Sequence, residues 1–360
     1  MQKAIRMFLS AALALGLGLS AAGCAKDLPA ESSSQTAAAT PQSEPVSEAP
    51  QHDGILNPLT GTYDLDASAV GKRPAAVMVN NIKAAWDVQT GLAKADIVYE
   101  TYVEGGITRL MAVFKDAADM PEIGCVRSAR YSYVDLAAGH DALYIHAGMD
   151  TKYCKDRMSD LGVEDLDLLT NLDAAAYRLR NGKATEHTLY TSGKELSENW
   201  KKGQRLELKG AEEPWLSFRL PEEPAAPGEG VCGELEVPFS SQYTAGFTYD
   251  ADTQKYRKSQ SGNASIDYKT EERVQVKNIL VLYAPVEDFS DGEHVKTELT
   301  GGEGLYVSQG GYANITWSKA EGDAPIRIEA PGGGEVQVNA GNTWVCLVDE
   351  DKKDAVTISE

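Results

Sequence analysis

Beyond residue 24 the apolar residues of this chain come in runs of strand length, and that pattern commits it to a body built on β-sheet. A helix across a bilayer needs ~20 consecutive apolar residues, and even the densest later run, Ile279–Ala284, is far shorter. Pro74–Asn80, Ala95–Val103 and Ile107–Phe114 are three more runs, rich in the β-branched and aromatic residues that favour strands. Asp116–Glu122 reads as a turn, after which Ile123–Arg127 is expected to pair back as a fourth strand in a hairpin-like unit. Ser128 is placed to cap a helix through Tyr133, Leu136 and Ala137. Ala142–Ala147 reads as another strand, and helices are expected over Cys154–Leu161 and Asp173–Arg180. Ser192-Gly-Lys-Glu195 has capping-box spacing ahead of a helix reaching about Lys202.

The pattern changes across residues 209–230, which are rich in Pro, Gly and Glu. Beyond them come short strands split by turn residues: Phe247–Tyr249, Lys255–Arg257, Val274–Ala284, Gly304–Ser308, Ala313–Trp317, Glu335–Val338 and Thr343–Val348. The fold class expected is α+β, a mixed α/β N-terminal domain (55–215), a linker (216–235) and a mostly-β C-terminal domain (236–360) built as a sandwich or barrel-like sheet. Gly301–Gly304 and Gly332–Gly334 sit between β runs with no helix after them, so they read as turns rather than phosphate loops.

The N-terminus has the form of an export signal. Lys3 and Arg6 precede an apolar stretch, Phe8–Ala22, that ends in Ala21-Ala22-Gly23-Cys24. A basic start, a short apolar core and small residues at the cut mark a secretory signal peptide (1–23), and the terminal cysteine marks a lipobox in which Cys24 is lipidated. Residues 24–54, mostly Ala, Ser, Pro, Glu, Gln and Thr, are too poor in apolar side chains to offset the entropy of ordering. They read as a tether between a membrane anchor and the folded body. The expected location is the outer face of the cytoplasmic membrane.

Loss of Lys3 and Arg6 with the signal takes the net charge from −20 to −22. So acidic a chain is repelled by phosphate backbones at long range, which excludes nucleic acid as a partner. Cys125, Cys154, Cys232 and Cys346 remain, with neither CxxC nor metal-ligand spacing, and no metal or cofactor is expected. An exported chain permits disulfides, but four cysteines allow three pairings, and free buried thiols are an equal alternative.

The chemistry-bearing residues are charges set inside apolar strands. Arg109 shares a strand face with Ile107, Met111 and Val113, and Glu100 one with Val98 and Tyr102. A charge among core residues is costly unless paired. Arg127 and Arg130 flank the start of the expected helix, whose free amides favour anions. Glu104 precedes two glycines, and His146 shares a face with Tyr144. Two readings follow. Arg109, Arg127 and Arg130 line a pocket for phosphate, pyrophosphate or carboxylate, supported by Glu100, Glu104 and His146; or the same groups form an internal Arg–Glu network that fixes the fold. The planar guanidinium suits the first, since it binds oxyanions bidentately. Trp317 and Trp344 read as core residues, with glycan stacking the alternative, and His187 as a packing or capping residue, with a ligand role the alternative.

These residues carry a resemblance. Asn57-Pro-Leu-Thr-Gly61, Val77-Met-Val-Asn-Asn81, Ala95-Asp-Ile-Val-Tyr-Glu100, Val103-Glu-Gly-Gly-Ile-Thr-Arg109, Val126-Arg-Ser-Ala-Arg130 and His146-Ala-Gly148, with Tyr256-Arg257, Thr316-Trp-Ser-Lys319 and Gly341-Asn-Thr-Trp344, resemble the YerB-type bacterial lipoproteins. The resemblance runs over nearly everything after residue 55. It implies a two-part extracytoplasmic lipoprotein and supplies no reaction. One departure is Cys125, where that family usually has Pro, which loosens the restraint expected just before Arg127. The Thr-Arg and Arg-Ser-Ala-Arg pieces are also loosely similar to the LytR-CpsA-Psr phosphotransferases, although the Arg-Asp-Thr of those enzymes is absent. The function expected is a non-enzymatic envelope lipoprotein that binds a partner protein or cell-wall anion. The alternative is a phosphotransferase or hydrolase acting on a lipid-linked or cell-wall anion through the arginines.

Anchoring is directly testable. Cys24→Ala should release the protein from the membrane fraction, and globomycin should leave the signal peptide uncut. Retention of the Cys24→Ala variant in washed membranes, read by immunoblot, would remove the lipid anchor.

Overall fold

The strands before and after the Pro/Gly/Glu-rich stretch meet in one sheet. The computed structural model describes residues 52–360; the expected signal peptide, Cys24 and nearly all of the tether lie outside the described residues. The first part supplies β1 (Ala75–Asn80), β2 (Ile97–Val103), β3 (Ile107–Phe114), α1 (Tyr131–Ala138), β4 (Leu143–His146), α2 (Cys154–Leu161), β5 (Leu166–Asp167) and α3 (Gly193–Asn199). The later part supplies β6 (Glu234–Pro238), β7 (Thr244–Asp250), β8 (Lys255–Gln260), β9 (Asn278–Ala284), β10 (Gly301–Ser308), β11 (Gly311–Ser318), β12 (Thr343–Asp349) and β13 (Thr357–Ser359).

The large sheet has the order β11-β10-β9-β12-β2-β3-β1-β4-β5. Its seam is the parallel pairing of β2 with β12, Ile97–Glu100 against Thr343–Cys346. β1, β2, β9 and β12 are buried along almost their whole length, which is why they read as unbroken apolar runs rather than alternating ones. One face is covered by α1 and α2: Tyr133, Leu136, Cys154 and Met158 pack with Met78, Tyr99, Val345 and Leu347. The other is covered in its later part by a second sheet, in which β6, β7, β8 and β13 are joined antiparallel. There Leu235, Phe247 and Tyr256 pack with Val98, Tyr102 and Trp344. β8 alternates exposed and buried residues, as a strand with one face in water should. The chain is thus α+β, mixed in its first part and mostly β in its second. The later strands divide between two sheets packed face to face, the sandwich arrangement expected of them, with one of those sheets continuing into the strands of the first part.

Several local expectations change. Ile123–Gly124 does not fold back on β3; it pairs with Tyr190–Thr191, while Val126 bridges Val79 of β1. β3 already lies between β1 and β2 and has no free edge. α1 begins at Tyr131, not after Ser128, because Ala129 is held by the Gly148 carbonyl. The helix expected over Asp173–Arg180 is a single turn, Asp173–Ala175, followed by a strand that pairs Tyr177 with Tyr190. The capping box at Ser192 does form, with the hydroxyl accepting from the Glu195 amide, but α3 ends at Asn199. Gly301–Gly304 opens β10 instead of turning: a Cβ on Gly302 would lie 2.4 Å from the Tyr283 carbonyl oxygen, so only glycine admits that approach. Trp317 and Trp344 are core residues, 3 % and 1 % exposed.

Cys125, Cys154, Cys232 and Cys346 are free and buried. Burial pushes the Cys125 and Cys232 thiols up to about 11 and Cys154 to about 12. Since the thiolate is the nucleophile, a Cys24→Ala variant should show no fast-reacting thiol with Ellman's reagent, and four should appear in guanidinium without reductant. A disulfide, visible as missing thiols and a matching mass deficit, would contradict the fold.

Candidate functional site

β1, β2 and β4 all finish at one end of the large sheet, where β3 begins: Asn80, the last residue of β1, is opposite Arg109. Open sheets bind ligands at the carboxyl ends of their parallel strands, and the three arginines gather here. Arg109 is 6 % exposed and donates to the Ser128 carbonyl at 2.7 Å. Arg130, at the start of α1, donates from Nε to Glu104 Oε1 at 2.5 Å and from a terminal nitrogen to the Ala129 carbonyl. Arg127 is partly buried, its amide held by Met78 of β1, and its buried Nε has no partner.

Charge at this end is unbalanced. Among the described residues Glu104 is the one carboxylate ion-paired to any of the three arginines. Burial works to raise the Glu104 carboxyl, but the Arg130 hydrogen bond and charge, with Arg109 beyond, bring it below its ordinary value. Arg109 is pushed down to about 9 by burial and by the Arg130 and Arg127 charges beside it. Free arginine keeps its proton to about pH 12 or beyond, so an arginine placed this way calls for an anion. The Tyr144 hydroxyl is fully buried near Arg109, Tyr133, Cys154 and the Arg130 amide, and it makes no well-formed hydrogen bond. A donor is thus left over next to the surplus of positive charge.

The other supporting residues lie elsewhere. His146 ends β4 and turns to the Gly148 carbonyl and Asp165. Glu100 is on the opposite face of the sheet from Arg109. It is fully buried, with Oε1 accepting from Asn81 (3.1 Å) and Thr108 (2.9 Å), and Oε2 from the Trp344 indole (3.1 Å). Its cation is Lys258, at 4.0 Å. Strand parity gave both faces correctly, but sequence could not show that Glu100 has a lysine from the second sheet. His187 is buried against Asn80, a packing role. The Gly124–Cys125 peptide is cis. A separate cavity of about 320 Å³, lined by Lys115, His140, Trp215 and Arg327, opens at the other end of β1. Lys115 there is held by the Ala69 and Lys72 carbonyls and Glu212, Lys209 lies 3.8 Å from Asp141, and Arg327, like Arg109, donates to one carbonyl, that of Trp215.

Residues 59–205 match the N-terminal domain of the protein family of unknown function DUF3048, and residues 235–345 match its C-terminal domain. The chain belongs to the DUF3048 family. It is 30 % identical over 311 residues to the candidate lipoprotein YerB of Bacillus subtilis (strain 168), covering 84 % of this chain and 88 % of that one. The crystal structure of the YerB protein from Bacillus subtilis superposes with a TM-score of 0.72 at 28 % identity, over 84 % of this chain and 99 % of the other. Among the described residues no helix is long and apolar enough to cross a membrane.

Glu100 belongs to the first of the two family segments, Lys258 and Trp344 to the second, and all three are at most 1 % exposed. Removing one partner of a buried ion pair leaves the other charge uncompensated, at a cost of about 3–5 kcal/mol. Lys258→Met should therefore lower unfolding stability by about that much, and adding Glu100→Gln should restore most of it. Additive losses in the double variant, measured by denaturant unfolding, would show that the two do not depend on each other.

Proposed function

We propose that this protein is an exported, lipid-anchored binding protein of the cell envelope whose arginine site takes an oxyanion-bearing ligand, a phosphate or pyrophosphate group above all. The observation that carries this reading is the pairing deficit: three guanidinium groups converge, Arg130 alone has a carboxylate, and the Arg127 Nε and Tyr144 hydroxyl are buried donors without good partners. An internal Arg–Glu network would leave no such surplus, because buried polar groups are otherwise satisfied. Placement supports the choice of ligand. The YerB relative is named as a candidate lipoprotein, and an anchor at Cys24 would hold the body near lipid-linked and cell-wall anions. The acidic chain repels polyanions at long range, which favours a small anionic group delivered to the arginine cluster.

Each charge-assisted hydrogen bond to a phosphate oxygen contributes about 1.5–3 kcal/mol, roughly ten- to a hundredfold in affinity. Calorimetry with inorganic phosphate, pyrophosphate and vesicles containing polyprenyl phosphate should detect saturable binding to at least one. Arg127→Ala should weaken it by that factor while leaving the melting midpoint of the free protein within a few degrees. Absence of binding to all three probes, or equal binding by Arg127→Ala, would reject the site.

A further inference from the structure

β4 and β5 run parallel at the end of the large sheet, and His146 and Asp167, the last residue of each, stand opposite one another. Asp165 is two residues earlier than Asp167, so along the strand it shares its face. The His146 ring is fully buried, and its Nδ1 is 3.0 Å from the Gly148 carbonyl. A carbonyl can only accept, so Nδ1 carries a proton and Nε2 is the ring atom left to face the two carboxylates. Nε2 makes no well-formed hydrogen bond, although Asp165 Oδ1 is 3.2 Å away. A ring nitrogen and a carboxylate oxygen that close need a proton or a metal ion between them.

A proton could bridge that pair, but it has no use for a third donor, and the site provides one. A ligand atom from each of His146, Asp165 and Asp167 lies within 4.8 Å of the other two. Asp167 is also held from behind: its Oδ1 accepts from the amides of Gly148 and Leu169, both at 2.9 Å. Asn171 braces the pair, accepting from the Asp167 amide and donating to the Asp165 carbonyl. Metal-binding histidines characteristically donate their second ring nitrogen to a carbonyl or carboxylate, which fixes the tautomer and aims the lone pair. His146 is arranged in that way.

We infer that His146, Asp165 and Asp167 form a divalent-cation site of the zinc type, with the imidazole Nε2 and two carboxylates as protein ligands. An imidazole with only two carboxylates is ill suited to calcium, which takes six to eight oxygens, and fits zinc with a coordination position left open. The half-exposed Asp165 gives a route in from solvent. The inference is independent of the anion site, since it uses neither the arginines nor any phosphate.

The test uses the untagged full chain in detergent, stripped with EDTA and dialysed. Calorimetry with Zn²⁺ should give one site per chain. Co²⁺ should give visible d–d absorption that Zn²⁺ displaces. Asp165→Asn, a near-isosteric change at an exposed position, should keep the circular dichroism and EDTA melting midpoint of the parent. It should lose Zn²⁺ affinity by on the order of 100-fold or more, since even second-shell losses reach 10–100-fold, and lose the cobalt spectrum. Less than one equivalent of Zn²⁺ bound at micromolar concentration, or unchanged binding by the folded Asp165→Asn variant, would overturn the site.

Discussion

Parallel pairing of β2 with β12 is the contact on which the remaining architecture depends. Strands from the beginning and end of the folded chain become neighbours there, Ile97 beside Thr343 and Glu100 beside Cys346. A parallel pair needs both faces covered, and the two covers come from different parts of the chain, helices on one side and the second sheet on the other. Glu100 sits at this seam and could not be there alone. Four groups converge on it: Asn81 and Thr108 from its own part, and Trp344 and Lys258 from the other. Lys258 also lies over the rings of Trp344 (4.9 Å) and Phe247 (5.5 Å), so its charge is met by aromatic faces as well as by the carboxylate. Such a network stabilises only when complete, and it ties the fold of each part to the presence of the other.

The seam also decides which end of the sheet is free to bind. With β12 beside β2 and β3 enclosed by β1 and β2, the strands that point one way finish together, and their ends carry Asn80, Glu104 and His146. Arg109 reaches this end because β3 starts there. Arg127 and Arg130 reach it because the 126–129 segment crosses β1 and then meets Gly148 beyond β4. The opposite end opens on Lys115, which has two carbonyls and Glu212 around it, and on Arg327, which donates to one carbonyl. What sets the arginine end apart is that three guanidinium groups share one carboxylate, Glu104.

How much of this was legible in the sequence follows from the range of each interaction. Runs buried on both faces announced β1, β2, β3 and β4, and local chemistry announced the Ser192 cap, because those signals are carried by the segment itself. Arg109 was conspicuous for the same reason, a charge at a core-facing strand position. What failed was partner choice. Ile123–Arg127 has strand composition, but nothing local says that its partners are Tyr190–Thr191 and β1 rather than β3. Residues 173–180 have helical composition and become extended at Tyr177 because Tyr190 is there to pair with. Glu100 was read with the arginines because its partner, Lys258, is more than 150 residues away in a strand whose alternation gives no hint of it. Asp165 and Asp167 carried a faint signal, acids two apart beside the apolar Leu166 and Leu168, that gains meaning only when β5 is set against β4.

The two sites at the free end are linked through one residue. The Gly148 carbonyl takes the His146 Nδ1 proton and the Ala129 amide, while the Gly148 amide goes to Asp167. Ala129 follows Ser128, whose carbonyl holds Arg109. A single residue therefore orients a ligand histidine, a ligand carboxylate and the backbone that positions the buried arginine. Gly148 has φ +75, a conformation that side chains with a Cβ rarely adopt, so the geometry at this junction depends on glycine. The resemblance that includes His146-Ala-Gly148 and Val126-Arg-Ser-Ala-Arg130 thus covers the two strands of this one junction. The physical reason to keep both sequences together is the three hydrogen bonds that meet on Gly148, whether or not either site is filled.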